Sequence, residues 1–274
     1  MYAWDSGGSV RSEVLGAATG TSRGTALTAN ASANTKGTYV DIGGATAFDY
    51  ELLQLFVYQG VVVADFTVDL ALSDGANRWI IAQDLRYAAS FAGLENSKWI
   101  LPLHVPKGSQ LSARVQCSTG GSAVDILLHG FSQGLMGAPG YSRCEVINAI
   151  ATSRGVAVDP GGTANTKGTY QQLVASTARD YMALAAFVGN NGDFVHAASQ
   201  NMLLDIAIGA AAAEVELLKN VALAAAVTQD SWDPRSLGPY PFDIPSGSRL
   251  AARSQCSVTT ASDRTCDVSV YGFR

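Results

Sequence analysis

The stretch ANTKGTY at residues 33–39 returns letter for letter at residues 164–170, an offset of 131. It lies inside a longer correspondence. RSEVLGAATGTSRG at 11–24 resembles RCEVINAIATSRG at 143–155, TAFDYELLQLFV at 46–57 matches TARDYMALAAFV at 177–188 without a gap, and VPKGSQLSARVQCS at 105–118 is restated as IPSGSRLAARSQCS at 244–257. A Gly-Phe pair closes each copy, Gly130-Phe131 and Gly272-Phe273, and the offset grows along the chain to 142. Insertions between matched blocks are the way loops of duplicated domains diverge, and units of this length are too long for solenoid repeats. The expectation is a tandem pair: residues 1–21 as an N-terminal tether or first strand, 22–134 as the first domain, 135–152 as a linker and 153–274 as the second.

Within each copy the pattern is that of strands. Leu111, Ala113, Val115 and Cys117 alternate with Ser112, Arg114 and Gln116, the period of two of a half-buried strand. The counterpart places Leu250, Ala252, Ser254 and Cys256 inward, with Arg253 and Gln255 outward. Pro106-Lys-Gly and Pro245-Ser-Gly mark turns. The strands that follow, 123–128 and 266–271, read as antiparallel returns. About eight strands per copy, spaced ~8–15 residues apart, predict an all-β protein of two tandem homologous antiparallel β-sandwich, jelly-roll-like domains. One segment, GAAAAEVELLKNVALAAAV at 209–227, has helical composition, yet its counterpart near Asn77–Ala82 reads as strand. Strand–turn–strand is favoured there, with a short helix as the alternative. Asn-Thr-Lys-Gly is good turn chemistry, so ANTKGTY reads as a tight turn entering a strand, with a ligand-binding loop as the alternative.

The charged fraction is 15% and the net charge −5, without a basic cluster in either half. Nucleic acid and membrane surfaces are therefore not expected partners. No secretory leader or membrane-spanning run is evident, so synthesis in a cytoplasm is expected. The four cysteines form no C-x-x-C pair, and three histidines give little support for a metal site; no cofactor is expected. Cys256 and Cys266 fall on inward positions of successive strands and either meet across a hairpin or remain two small buried thiols, the reading preferred for an intracellularly assembled protein. Cys144 falls in the linker. Nucleophile-elbow, zincin, Walker and dinucleotide fingerprints are missing. His104 aligns with Asp243 and His129 with Tyr271, so neither keeps a titratable role; with His196 they read as surface or interface histidines. Asp49/Asp180, Asp69/Asp205 and Asp125/Asp267 match between copies, but such carboxylates are more often turn and strand-end hydrogen bonders than acids and bases. No enzymatic activity is expected, and no catalytic residue is assigned.

Aromatic residues between the matched blocks point instead to a glycan, because sugars stack their C–H faces on flat rings with polar neighbours fixing the hydroxyls. The first copy carries Trp79, Tyr87, Phe91 and Trp99; the second carries Trp232 and Tyr240 in SWDPRSLGPY, with Asp230, Asp233 and Arg235 close by. These are candidate carbohydrate-binding residues, while Trp79 and Trp99 also suit a core or interface.

NTKGTY, DIAIGAAAAE and the closing PYPFDIPSGSRLAARSQCS…DVSVYGF resemble a module of tailed-phage and gene-transfer-agent spike- or fibre-type virion proteins. The resemblance covers nearly all of both copies and is clearer in the second. It implies a β-sandwich protein displayed on a virion or phage-like particle, at a head spike or tail fibre. The implied function is attachment to a recipient bacterium by non-catalytic binding of surface or capsular polysaccharide, alongside other virion proteins. The alternative is a structural decoration or adaptor protein without glycan affinity. Symmetric association into a dimer or trimer is the expectation for exposed sandwich edges.

Overall fold

The computed structural model describes residues 10–16, 23–58, 64–88, 96–134, 140–148, 152–189, 196–226, 232 and 236–274. The first copy contributes β1 (Ser12–Leu15), β2 (Thr25–Thr28), β3 (Val40–Ala45), β4 (Leu52–Tyr58), β5 (Asp65–Ser73), β6 (Arg78–Ala88), β7 (Asn96–Leu101), β8 (Gln110–Cys117) and β9 (Ala123–Phe131). The second contributes β10 (Cys144–Val146), β11 (Val156–Val158), β12 (Gln171–Val174), β13 (Ala183–Gly189), β14 (Gln200–Ile208), β15 (Val215–Ala225), β16 (Ser236–Tyr240), β17 (Leu250–Cys256) and β18 (Cys266–Phe273), with one short helix, α1 (Ala261–Arg264), before the last strand.

Strand order identifies the fold. In the first copy one sheet runs β1-β9-β4-β7 with β2 also on β9, and the other runs β3-β8-β5-β6. The second copy repeats this as β10 and β11 on β18, then β13 and β16, facing β12-β17-β14-β15. Each is a jelly roll, eight strand positions in two antiparallel sheets, with the first position split in two. The alternation read from the sequence follows from this. Leu111, Ala113, Val115 and Cys117 enter the first core, and Leu250, Ala252 and Cys256 the second. The described part of the Ala-rich segment forms the turn after β14 and then β15, an edge strand. The expected returns differ: β9 and β18 lie on the sheet opposite β8 and β17, so each connection arches across the sandwich. Cys256 and Cys266 therefore sit on facing sheets, and both are free thiols.

The repeated letters close turns and make room. Thr46 Oγ1 donates to the Pro106 carbonyl (2.9 Å) and accepts the Ser109 amide (3.1 Å), while Asp49 accepts the Lys107 amide (2.7 Å). Thr177 and Asp180 do the same for the Pro245 turn, bonding the Pro245 carbonyl and the Ser248 and Ser246 amides. The phenol of Tyr50 donates to Glu13, and that of Tyr181 to Glu145. Burial, then Glu145, pushes the Tyr181 phenol up to about 12. Both rings lie flat on the glycine of the closing Gly-Phe pair, and a Cβ at Gly130 or Gly272 would overlap the ring.

The two copies share a sheet. β10, within the stretch read as a linker, pairs antiparallel with β18 (Cys144 opposite Phe273) and parallel with β6 (Cys144 opposite Ala82). The result is a nine-stranded sheet that carries half of each sandwich. Cys144 is accordingly enclosed, and burial pushes its thiol up. The outer face of β13 and β18 closes the side of the first sandwich, placing Ala183, Ala185, Phe187, Tyr271 and Phe273 in the first core.

Candidate functional site: three surfaces of the duplicated fold

ANTKGTY builds a charged cluster on the outer face of each β5- or β14-bearing sheet. Lys36 Nζ donates to Asp69 (2.8 Å) and Thr67 (3.1 Å) and pairs with Asp84. Arg114 Nε holds the other Asp69 oxygen at 2.8 Å, and its guanidinium lies 4.6 Å from the Tyr39 ring centroid. In the second copy Lys167 and Arg253 hold Asp205 at 2.6 and 2.9 Å, with Arg253 4.5 Å from the Tyr170 ring. The central carboxylate has a backbone task. It accepts the amide of a residue at positive φ in the neighbouring strand, Asp84 (φ 56°) in one copy and Asn220 (φ 52°) in the other, at a bulge in the β5–β6 and β14–β15 ladders. Burial pushes Asp205 up, but the Asn220 amide, Lys167 and Arg253 outweigh it and hold the carboxyl below its usual range. The repeated motif is thus a fold-stabilising clasp, and the tight-turn reading describes it.

A second cluster belongs to the joint. Arg86, fully enclosed, donates to both oxygens of Asp267 (2.8 and 3.1 Å), to Asp65 (3.3 Å) and to the Ser153 carbonyl (3.3 Å). Arg154 holds the far side of Asp65 at 2.8 Å. Trp99 donates its indole N–H to the Arg86 carbonyl (2.9 Å), stacks on Phe187 (5.8 Å) and meets Tyr271 edge-on (4.8 Å). The Tyr271 hydroxyl accepts the Arg86 amide and donates to the Asp84 carbonyl.

The aromatic residues picked out as sugar platforms separate into three groups. Trp99, Tyr87 and Trp232 are enclosed, at 2%, 1% and 0% exposure, and present no ring face to solvent. Trp99 is the wedge of the joint, Tyr87 packs on Phe66, and Trp232 lies edge-on to His196 in the second core. His196 is itself buried, contrary to its surface reading. Tyr240 is partly buried against Phe242. Asp230, Asp233, Arg235 and Phe91 lie outside the described residues. Trp79 differs: at 54% exposure it is the one mostly exposed aromatic ring among the described residues. It sits at the start of β6, opposite Leu72. Next to it, Arg78 turns to the polar face, bonding Ser112 (3.3 Å), pairing with Asp41 (3.5 Å) and lying over Tyr39.

Sequence reasoning missed a third surface. The outer face of β4 and β9 carries Leu52 beside Phe131, Gln54 beside His129, Phe56 beside Leu127 and Tyr58 beside Asp125. All are partly exposed, and Val14 of β1 extends the face at 46% exposure. Phe56 stacks near Tyr58 (6.4 Å) and His129 (5.1 Å), with Lys98 5.8 Å from its centroid. The signal was present in the alternation of LLQLFVY, whose outward residues are nearly as apolar as its inward ones.

Among the described residues no group of three or more His, Cys, Asp or Glu side chains could hold a metal ion, and no helix is long and apolar enough to cross a membrane.

No family model and no curated protein matches the chain. Among solved structures it is similar to PNGF-II, at 8% identity and TM-score 0.34, with 86% of this chain and 58% of that one covered. It is also similar to the CBM22-1-CBM22-2 tandem domain of Paenibacillus barcinonensis Xyn10C (10% identity, TM-score 0.27, 97% and 91% covered) and to the infectious bursal disease virus VP2 subviral particle (11%, 0.20, 96% and 70%). The chain spans little more than half the length of PNGF-II. These likenesses are loose, and the fold rests on the strand order itself.

Proposed function

We propose that this protein is a non-catalytic receptor-binding component on the surface of a phage-like particle, made in a cytoplasm, and that it attaches the particle to a recipient bacterium through surface or capsular polysaccharide. The observation that carries the glycan reading is Trp79, a large ring left mostly open to solvent at the rim of a sheet. A sugar would stack its C–H face on the open indole. The particle setting rests on the resemblance of the repeated blocks to spike- and fibre-type virion proteins. One such site is weak, and a dimer or trimer with many copies per particle would raise avidity without any new contact.

The test is binding of the purified full-length protein to recipient cells with and without their surface polysaccharide, beside Trp79→Ala. The expected result is binding that needs the polysaccharide and falls at least tenfold in the variant. Binding indifferent to the polysaccharide would overturn the reading. Release of reducing ends from that polysaccharide would replace attachment by depolymerisation. A second reading, a decoration or adaptor protein without glycan affinity, is favoured by the apolar outer face of β4 and β9, which has the composition of a protein contact. That reading expects no polysaccharide dependence at all.

A further inference from the structure

Four cross-strand pairs on the outer face of β13 and β18 are buried in the joint: Ala183/Phe273, Ala185/Tyr271, Phe187/Ser269 and Gly189/Asp267. Their counterparts in the first copy are the partly exposed pairs Leu52/Phe131, Gln54/His129, Phe56/Leu127 and Tyr58/Asp125. The flanking strand shows the same contrast. In β10, Cys144 is enclosed and Val146 packs on the first core; in β1, Ser12 is exposed and Val14 is 46% exposed. β10 gives its second edge to β6, whereas among the described residues β1 pairs with β9 alone. One surface therefore occurs twice in this chain, once occupied and once uncovered by any of the described residues, with apolar residues at its centre and Lys98, His129 and Asp125 around them. Contiguous apolar surface of this kind marks a protein contact.

The occupied copy says what fits. Its occupant is the side of a sandwich that offers an edge strand in parallel register and one arginine, Arg86, to the buried Asp267. Asp125 stands where Asp267 stands and has no ion pair among the described residues. A second copy of this chain does not supply the match. On β15, the equivalent of β6, Ala222 replaces Arg86, and Lys219 replaces the Gln83 that receives Arg143, a residue whose own counterpart is Arg11. The second sandwich is moreover closed at that side by Leu218, Leu223 and Leu237, at 9%, 3% and 4% exposure.

We propose that the outer face of β1, β9 and β4 docks a different protein, through the side of a β-sandwich that presents an unpaired edge strand carrying an arginine for Asp125. This surface is separate from Trp79, so the inference does not depend on glycan binding.

The test places a benzoylphenylalanine photo-cross-linker at position 14 of the full-length protein, in the organism that makes it, with the same group at position 215 on β15 as control. The expected product joins position 14 to an edge strand of another protein within a few residues of an arginine. Asp125→Lys lowers its yield at least tenfold, Asp125→Asn lowers it less, both variants keep the parent melting temperature, and Trp79→Ala leaves it unchanged. A cross-link to a second copy of the chain would overturn the proposal. So would a product mapping to a helix or loop, a yield no higher than at position 215, or a yield indifferent to Asp125→Lys.

Discussion

β9 and β18 hold the same place in two jelly rolls, yet β9 is buried at every second residue and β18 along its whole length. β4 and β13 repeat the contrast. The inward residues are equivalent, so the difference lies entirely in what covers the outward ones: in the second copy the flank of the first sandwich, in the first copy nothing among the described residues. The lesson is that a duplicated fold keeps its core chemistry while its outer faces take separate roles, and the sites that diverge between copies are those that decide assembly.

The largest effect expected from breaking this comparison is at the joint. Arg86→Met would leave Asp267 enclosed without its cation and Asp65 with Arg154 alone, at a cost of about 3–5 kcal/mol. Ala222→Arg at the equivalent exposed site would change stability by no more than about 0.5 kcal/mol. Chemical denaturation of both variants checks this, and equal effects would mean that the ion cluster contributes no more than a surface pair. Next come Gly130→Ala and Gly272→Ala. Each added methyl would drive into a hydrogen-bonded tyrosine ring, and overpacking of this kind costs roughly 1–3 kcal/mol. The two losses should agree, because the Glu-Tyr-Gly arrangement is the same in both copies; a loss in one alone would show that the copies are not equally packed.

The lysine clasp sharpens the comparison further. Lys36 serves two carboxylates and Lys167 one, so Lys36→Met should destabilise more, by roughly 1–3 kcal/mol. The clasp also sets an acid response. Asp205 is held below its unfolded-state value, so its contribution is complete above about pH 4 and is lost as pH falls through the lowered value. In Lys167→Met that loss begins at a higher pH. Urea midpoints followed from neutral to strongly acidic pH would reveal it, and coincident curves for parent and variant would remove Lys167 from the account. The smallest effect concerns reactivity: Ser12→Cys should be labelled rapidly by a thiol reagent in the folded protein, while Cys144 at the equivalent position stays inert until unfolding.

Much of the fold was legible because the repeated residues act locally. The Thr and Asp of TAFDY and TARDY bond the Pro-x-Gly turns, the alternation of LSARVQC fills a core, and Asn34 and Asn165 sit at positive φ as turn asparagines do. What could not be read is what depends on the other copy. Nothing in RCEVI distinguishes a linker from a strand pairing on two sides, and nothing near Trp99 says that its ring is covered by Phe187 and Tyr271 of the second domain. Trp232 was misleading for a similar reason, since a polar neighbourhood in sequence surrounds a ring that closes a core. Of the candidate site residues that are described, only Trp79 is mostly exposed.

Because β10 is at once part of the connection between the copies and a strand of their common sheet, the described residues of the two halves meet through paired strands. The cost of bending the molecule there is the cost of breaking a ladder rather than of turning a loop. A pull on one half is carried through paired strands into the other. Whatever holds the first half therefore aims the second, and the protein behaves under load as a strut rather than a tether.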